Sequence, residues 1–311
     1  MGKVERLIDF FYNSSDNKGK EEEKMFNLIL AIISSSLVSI MMRAGEGRAK
    51  NNISMLSVNY FICMILSVVY TGGGNLFQTG EGFSTAIGLG VINGFFYIAS
   101  LILFQNSVKQ NGVVLSSIFM KLGIMMPLII SIVLFKEMPT VIQIIGFVIA
   151  ITAIILINLK EKSIDDGISE NTGNKYPVKI GLIFVLVGCG MADGMSKIYQ
   201  ELGTDRFEEL FLVCTFVIAF LLSVILVKIK KQRYTQNELL YGALLGVPNY
   251  YSARFLLKAL GEIPAVVAYP TFSIGTIAVI TLTGVIAFKE KNTKLQMVAI
   301  GLIAIAVVLL N

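Results

Sequence analysis

Lys121 is the residue on which any chemistry in this chain must turn. It lies nine positions into an apolar run at 112–135, about 13 Å along a helix axis and so near the middle of a bilayer. An ionised group at that depth costs several kcal/mol unless it faces a cavity or a partner, which makes it a candidate binding residue. Ser117 lies one turn earlier on the same face, and together they offer an ammonium and a hydroxyl to a carboxylate or phosphate. The competing expectation is an ion pair with a buried acid such as Asp193, which would only hold helices together. Asp193 is the acidic residue well inside a span, and in a chain without histidine it is the natural seat of a coupling proton or cation. Gly190, Asp193 and Lys197 share a helix face, and Lys197 at i+4 offers Asp193 a neutralising partner instead.

A second group falls in GVPNYYSARFLLKAL, where Asn249, Tyr250 and Arg254 cluster, the last two on one face. Pro248 removes a backbone donor and is expected to kink or open that helix, freeing carbonyls for a ligand. Against this, Arg254 is close enough to the helix end to reach headgroups. Neutral hydrogen-bonding groups near mid-membrane come from Asn93 with Tyr97, from Ser34 to Ser36, and from Tyr269, Thr271 and Ser273 around Pro270. The substrate-binding candidates are thus Lys121, Ser117, Asn93, Tyr97, Asn249, Tyr250, Arg254 and Tyr269. The pairs Gly90 and Gly94, Gly190 and Gly194, and Gly242 and Gly246 are expected to let helices pack closely.

Catalysis finds no support in these residues. The absence of histidine removes HExxH metal sites and Ser-His nucleophile activation together. Cys63, Cys189 and Cys214 fall in spans with no paired spacing, which suggests neither a disulfide framework nor a metal site. The glycines at 72–74 lack a following GK[ST] and read as a flexible connection. No catalytic residue, metal or cofactor is expected, and nothing points to nucleic acid.

The elements that must position these groups follow from composition. With 55% hydrophobic and 15% charged residues over 311, the chain belongs in a bilayer as a multi-pass protein of the cell membrane. Ten apolar runs are long enough to span, near 25–43, 53–72, 84–106, 112–135, 139–159, 178–198, 207–228, 236–259, 263–288 and 293–310. LFKEMPTVIQIIGFVIAITAIILIN and AFKEKNTKLQMVAIGLIAIAVVLLN align without a gap at an offset of 153, pairing Phe135 with Phe288, Glu137 with Glu290 and Asn158 with Asn311. The chain reads as a duplicated unit, and because each copy holds five spans, the second sits inverted relative to the first. The expected organisation is a polar tail at 1–24, a five-helix repeat at 25–159, a linker at 160–177 and an inverted five-helix repeat at 178–311. In the tail, Val4, Leu7, Ile8 and Phe11 recur at helical spacing, as in a short interfacial helix. GVIN at 90–93 echoes GVPN at 246–249, placing Asn93 and Asn249 at matching points of helices 3 and 8.

Ten helices in two halves, each half closing with an x-F-K-E turn before a Gly- and Ile-rich last helix, resemble the drug/metabolite transporter superfamily and its EamA-type permeases. The acidic residue between the fourth and fifth helix of each half, here Glu137 and Glu290, carries the resemblance most specifically. This chain departs from the family in lacking basic residues after helix 2, while its Lys and Arg residues lean toward the loops after odd-numbered helices. Pro127 and Pro270 match the family's fourth-helix proline only loosely. The resemblance implies a carrier with a central cavity between the halves, moving a small-molecule substrate through the lipid bilayer by alternating access. Basic groups in that cavity favour an amino acid or organic acid over a cationic drug. Two other readings are a flippase for a phosphate-linked lipid carrier and a non-transporting scaffold or sensor. Glu137, Glu290, Pro248 and Pro270 are expected to cap or hinge helices. One chain carrying both halves suits a monomer or a homodimer.

Overall fold

A computed structural model describes residues 25–45, 48–72, 78–111, 113–158, 178–287 and, in the last helix, 298, 301–302, 305–306 and 308–310. The tail at 1–24, the linker at 160–177 and Glu290 lie outside the described residues. The regular structure of the described residues is helical, without strands. The helices are α1 (Met25–Gly45), α2 (Asn52–Thr71), α3 (Phe83–Asn111), α4 (Val113–Leu122), α5 (Met125–Phe135), α6 (Val141–Asn158), α7 (Val178–Leu202), α8 (Glu208–Ile229), α9 (Gln236–Glu262) and α10 (Ala265–Ala287). Among them, α1, α2, α3, α7, α8 and α10 are long and apolar enough to cross a membrane alone. In hydrocarbon each backbone donor and acceptor must be satisfied within the segment, which leaves apolar runs of this length little choice but helix.

The expected fourth span is not one helix. It breaks into α4 and α5 at Gly123 and Ile124, where Gly123 N–H bonds the Met120 carbonyl at 3.1 Å and Met126 N–H bonds the Gly123 carbonyl at 2.9 Å. A side chain on Gly123 would press on Met120, Gly190 and Leu186, so glycine lets the interrupted helix lie directly on α7. Pro248 and Pro270, by contrast, sit inside uninterrupted helices.

The expectation for the paired glycines holds. Gly90 and Gly94 bring α3 against Phe211, Cys214, Thr215 and Ile218 of α8, and Gly242 and Gly246 bring α9 against Met55, Val58, Asn59 and Ile62 of α2. Gly190 and Gly194 bring α7 against Gly123, Met126, Pro127 and Ile130. The principal core joins α2, α3, α7, α8 and α9 through Tyr60, Ile98, Tyr199, Phe211, Phe216 and Tyr250. A second joins α1, α9 and α10 through Leu28, Leu260 and Tyr269. A third fastens α6 and α10 to the last helix through Ala153, Ile154, Ile274 and Leu310.

Candidate functional site

Four helices converge at mid-depth. Lys121 ends α4 one residue before its last position, so its ammonium also complements the negative end of that half-helix. Asp193 faces it from α7, about 14 Å from that helix's end. The two groups are electrostatic neighbours, yet no ion pair within 4 Å or hydrogen bond joins them among the described residues. Cys189, one turn before Asp193, is in range of both charges. Tyr97 of α3 and Tyr269 of α10 complete the ring around Asp193. The Tyr269 hydroxyl donates to the Asp193 main-chain carbonyl at 2.7 Å, and the Tyr97 ring stands edge-on to Tyr60 and Phe216 at 6.2 and 6.0 Å.

Asp193 is exposed and Lys121 half-buried. The charged and phenolic neighbours of Asp193 come from α3, α4 and α10. The expected neutralisation of Asp193 by Lys197 is not what the fold provides: Lys197 is 2% exposed and lies 2.5 Å from both Glu137 and Glu201. The side chain of Ser117 lies outside the described residues.

The remaining candidates sit elsewhere. Asn93 is buried against α8, donating to Thr215 Oγ1 at 3.4 Å, and Asn249 donates to Asn59 Oδ1 at 3.2 Å. Both partners of the first contact are shifted by 156 positions in the second. Tyr250 is buried and donates to Glu209 Oε2 at 2.7 Å; the Arg254 guanidinium donates to the other oxygen of Glu209 and lies over the Tyr70 ring at 4.2 Å. Tyr70 and Tyr251 are joined hydroxyl to hydroxyl at 2.8 Å, and Arg206 reaches Gln78 at 2.5 Å. A pocket of about 210 Å³ opens beside this network, lined by Tyr70, Gln78, Arg206 and Glu209. Sequence reading missed Glu209: it looks like an ordinary first-turn acid of α8, and its partner is 45 positions away.

Glu137, in the turn after α5, takes three donors at once: Ser131 Oγ, Lys197 Nζ and, at 3.0 Å, the Ala265 N–H that opens α10. Lys136 before it adopts a left-handed conformation (φ 58°), closing α5 and aiming the carboxylate inward. Burial pushes the Glu137 carboxyl up, but the hydrogen bonds and charge of Lys197, with Ser131 and Ala265, outweigh it and hold the carboxyl below its ordinary value.

A family model described as "EamA-like transporter family" matches residues 24–159 and again 179–311. An uncharacterized protein of Haemophilus influenzae is 24% identical over 286 residues, covering 89% of this chain and 94% of that protein. A protein of known crystal structure superposes with a TM-score of 0.68 at 12% identity, covering 93% of this chain and 96% of its own, a likeness of fold alone.

Proposed function

Because the chain belongs to the EamA-like transporter family, we propose that it is a secondary transporter that carries a small metabolite by alternating access, with Lys121 receiving the solute's anionic group. The observation that carries this is the pair of opposite charges held at mid-depth on α4 and α7, accessible and not bonded to each other. Left empty, such groups are costly in a membrane; a solute that meets them recovers that cost. A scaffold would be better served by a closed Lys121–Asp193 pair and a filled centre, and the exposure of Asp193 speaks against it.

The interruption beside Lys121 supports the same location, since broken helices at the midplane are where carriers build binding sites. The matched contacts Asn93–Thr215 and Asn249–Asn59 support two inverted five-helix repeats, each lending a helix to the other. In this reading Asn93 and Asn249 secure those helix pairs, and Tyr97 and Tyr269 line the solute's path. Glu137 acts as a hinge clamp between the first repeat and the entry to α10, and Glu209 with Arg254, Tyr250 and Tyr70 closes one end of the cavity.

Solute counterflow in proteoliposomes preloaded with mixed amino and organic acids tests the proposal. Accumulation by the parent protein, its loss in Lys121→Ala and its partial return in Lys121→Arg are the expected results. Transport untouched by Lys121→Ala moves the site elsewhere, and no counterflow of any solute sends the assignment to the flippase or the scaffold.

A further inference from the structure

We infer that the face built by the α1–α2 and α8–α9 loops is a docking surface for the headgroups of anionic phospholipids. This face lies at the opposite end of α2, α8 and α9 from the Glu137 and Glu209 networks. Its role is independent of which solute the centre carries.

The fold first joins the two loops. Gln232, just after α8, offers its side-chain oxygen to the N–H groups of Ile53 and Ser54 at 3.1 Å each, filling open donors at the start of α2. Glu238, in the first turn of α9, accepts from the N–H groups of Lys50, Asn51 and Thr235 at 2.9, 3.0 and 3.0 Å. Tyr234 meets Ser57 hydroxyl to hydroxyl at 2.8 Å, and Asn237 donates to the Arg48 carbonyl at 3.0 Å. One loop belongs to the first matched segment and the other to the second, so their charged side chains merge into a single face. Arg48, Lys50, Lys228, Lys230, Lys231 and Arg233 are all exposed there. The acid of the described part of these loops is Glu238, which is 1% exposed and turned to backbone donors. Among the described residues, no ion pair within 4 Å joins any of the six basic side chains to a carboxylate. Helix dipoles account for only some of them. Lys228, Lys230 and Lys231 stand at the negative end of α8, but Arg48 and Lys50 precede the start of α2 and Arg233 precedes the start of α9, where a cation is disfavoured. Repulsion among like charges held on linked loops is relieved by anions from outside. Position selects lipid as their source: Ile229, between Lys228 and Lys230, is 69% exposed, and Leu239 and Leu240, shortly after Arg233, are 49% and 56% exposed. The charges therefore sit where the lipid-facing apolar surface ends, at headgroup depth, with Tyr234 as an amphipathic neighbour. Basic clusters of this size beside a span draw anionic headgroups. At the opposite end the signs are mixed: Lys197 is matched by Glu137 and Glu201, Arg254 by Glu209, and Lys258 stands in electrostatic range of Glu208. Headgroups collected on the basic face add an external tie between the two matched segments.

The test uses the purified full chain in a neutral detergent, titrated with dioleoylphosphatidylglycerol or dioleoylphosphatidylcholine. Binding is read by the thermal midpoint and by the lipid retained in native mass spectrometry. The parent protein should take up the anionic lipid at concentrations lower by about tenfold or more. That preference should shrink as sodium chloride rises to about 0.5 M, because exposed charges are screened. Replacing all six basic residues by Gln should abolish it, and Arg48→Gln with Lys50→Gln, or Lys228→Gln with Lys230→Gln and Lys231→Gln, should each remove part. Exchanging the same lysines for Arg keeps the charge and should keep the preference, as should Lys136→Gln, exposed at the opposite end. Equal stabilisation by both lipids, a preference that survives in the six-residue variant, or an equal loss in Lys136→Gln would each overturn the inference. Glycerophosphoglycerol, the same headgroup without acyl chains, should not stabilise at matched concentration; stabilisation equal to that of the lipid would assign the face to a soluble anion instead. Should the six-residue variant fail to fold, the partial variants and the salt titration of the parent decide: full preference in both partial variants, or a parent preference unmoved by salt, overturns it.

Discussion

Lys121 and Asp193 owe their interest to what they lack. A lysine and an aspartate in range of each other inside a membrane would ordinarily close into an ion pair, and breaking one by removing a partner leaves a buried charge alone. Here the two are held apart, so each substitution should damage binding more than folding: Lys121→Ala is expected to lower solute affinity by about tenfold or more, the range of one lost charge-assisted bond, with little change in thermal midpoint. Glu137 is the opposite case, a carboxylate fully engaged by Lys197, Ser131 and Ala265. Its folded-state pKa is depressed, so its contribution to stability is present above the ordinary carboxylate value and is lost as pH falls through the lower folded value. Glu137→Gln should therefore lower the melting temperature near neutral pH and flatten its decline on the acid side, read by thermal unfolding across a pH series.

Helices in this molecule approach one another through glycine, and the geometry ranks the positions. Adding a Cβ at Gly94 would run into Ile218 and the Thr215 carbonyl, whereas Gly88, on the same helix, has nothing within 4 Å. Gly94→Leu is expected to destabilise by about 1–3 kcal/mol, the cost of overpacking, and Gly88→Leu to be close to neutral; detergent thermal shifts compare the two directly. The α4–α5 break was missed in reading the sequence. FMKLGIMMPLII reads as one apolar span although it carries a signal for the break: Pro127 lies in the first turn of α5 and has no N–H to bond the Gly123 carbonyl. Pro248 and Pro270 carry the stronger local signals but leave their helices continuous, because one missing donor is tolerated where neighbouring packing holds the rest of the helix.

Among the described residues, the ion pairs gather at one end of the helices. Glu137 with Lys197 and Glu201, and Glu209 with Arg254 and Tyr70, lie where α2, α5, α7 and α9 end and α8 and α10 begin. Tyr70 comes from the first matched segment and Arg254 from the second, so their stacking ties the two together at that end. If this end is the closed one, Cys189, half-buried beside Lys121 and Asp193, should react with a membrane-impermeant thiol reagent from the opposite face alone. Bound solute should protect it, while the buried Cys63 should stay unmodified; mass spectrometry of labelled proteoliposomes gives the answer. Labelling of Cys189 from the Arg254 end would reverse the assignment of the closed side.

Bilayer membership, the run of spans and the candidate mid-membrane charges were all determined by the order of residues alone, because hydrocarbon admits almost no backbone state but helix and makes every ionised side chain within it conspicuous. The glycine pairs were legible for a similar reason: small residues at helical spacing have few other uses. Which charges stay open and which are matched was decided by tertiary structure. Lys197 and Asp193 are a turn apart in sequence, yet Lys197 turns to Glu137, sixty positions away; Arg254 is claimed by Glu209 and leaves the centre. Partner choice among charges depends on distances between helices, and those distances are set by glycine contacts and core packing that no local spacing encodes.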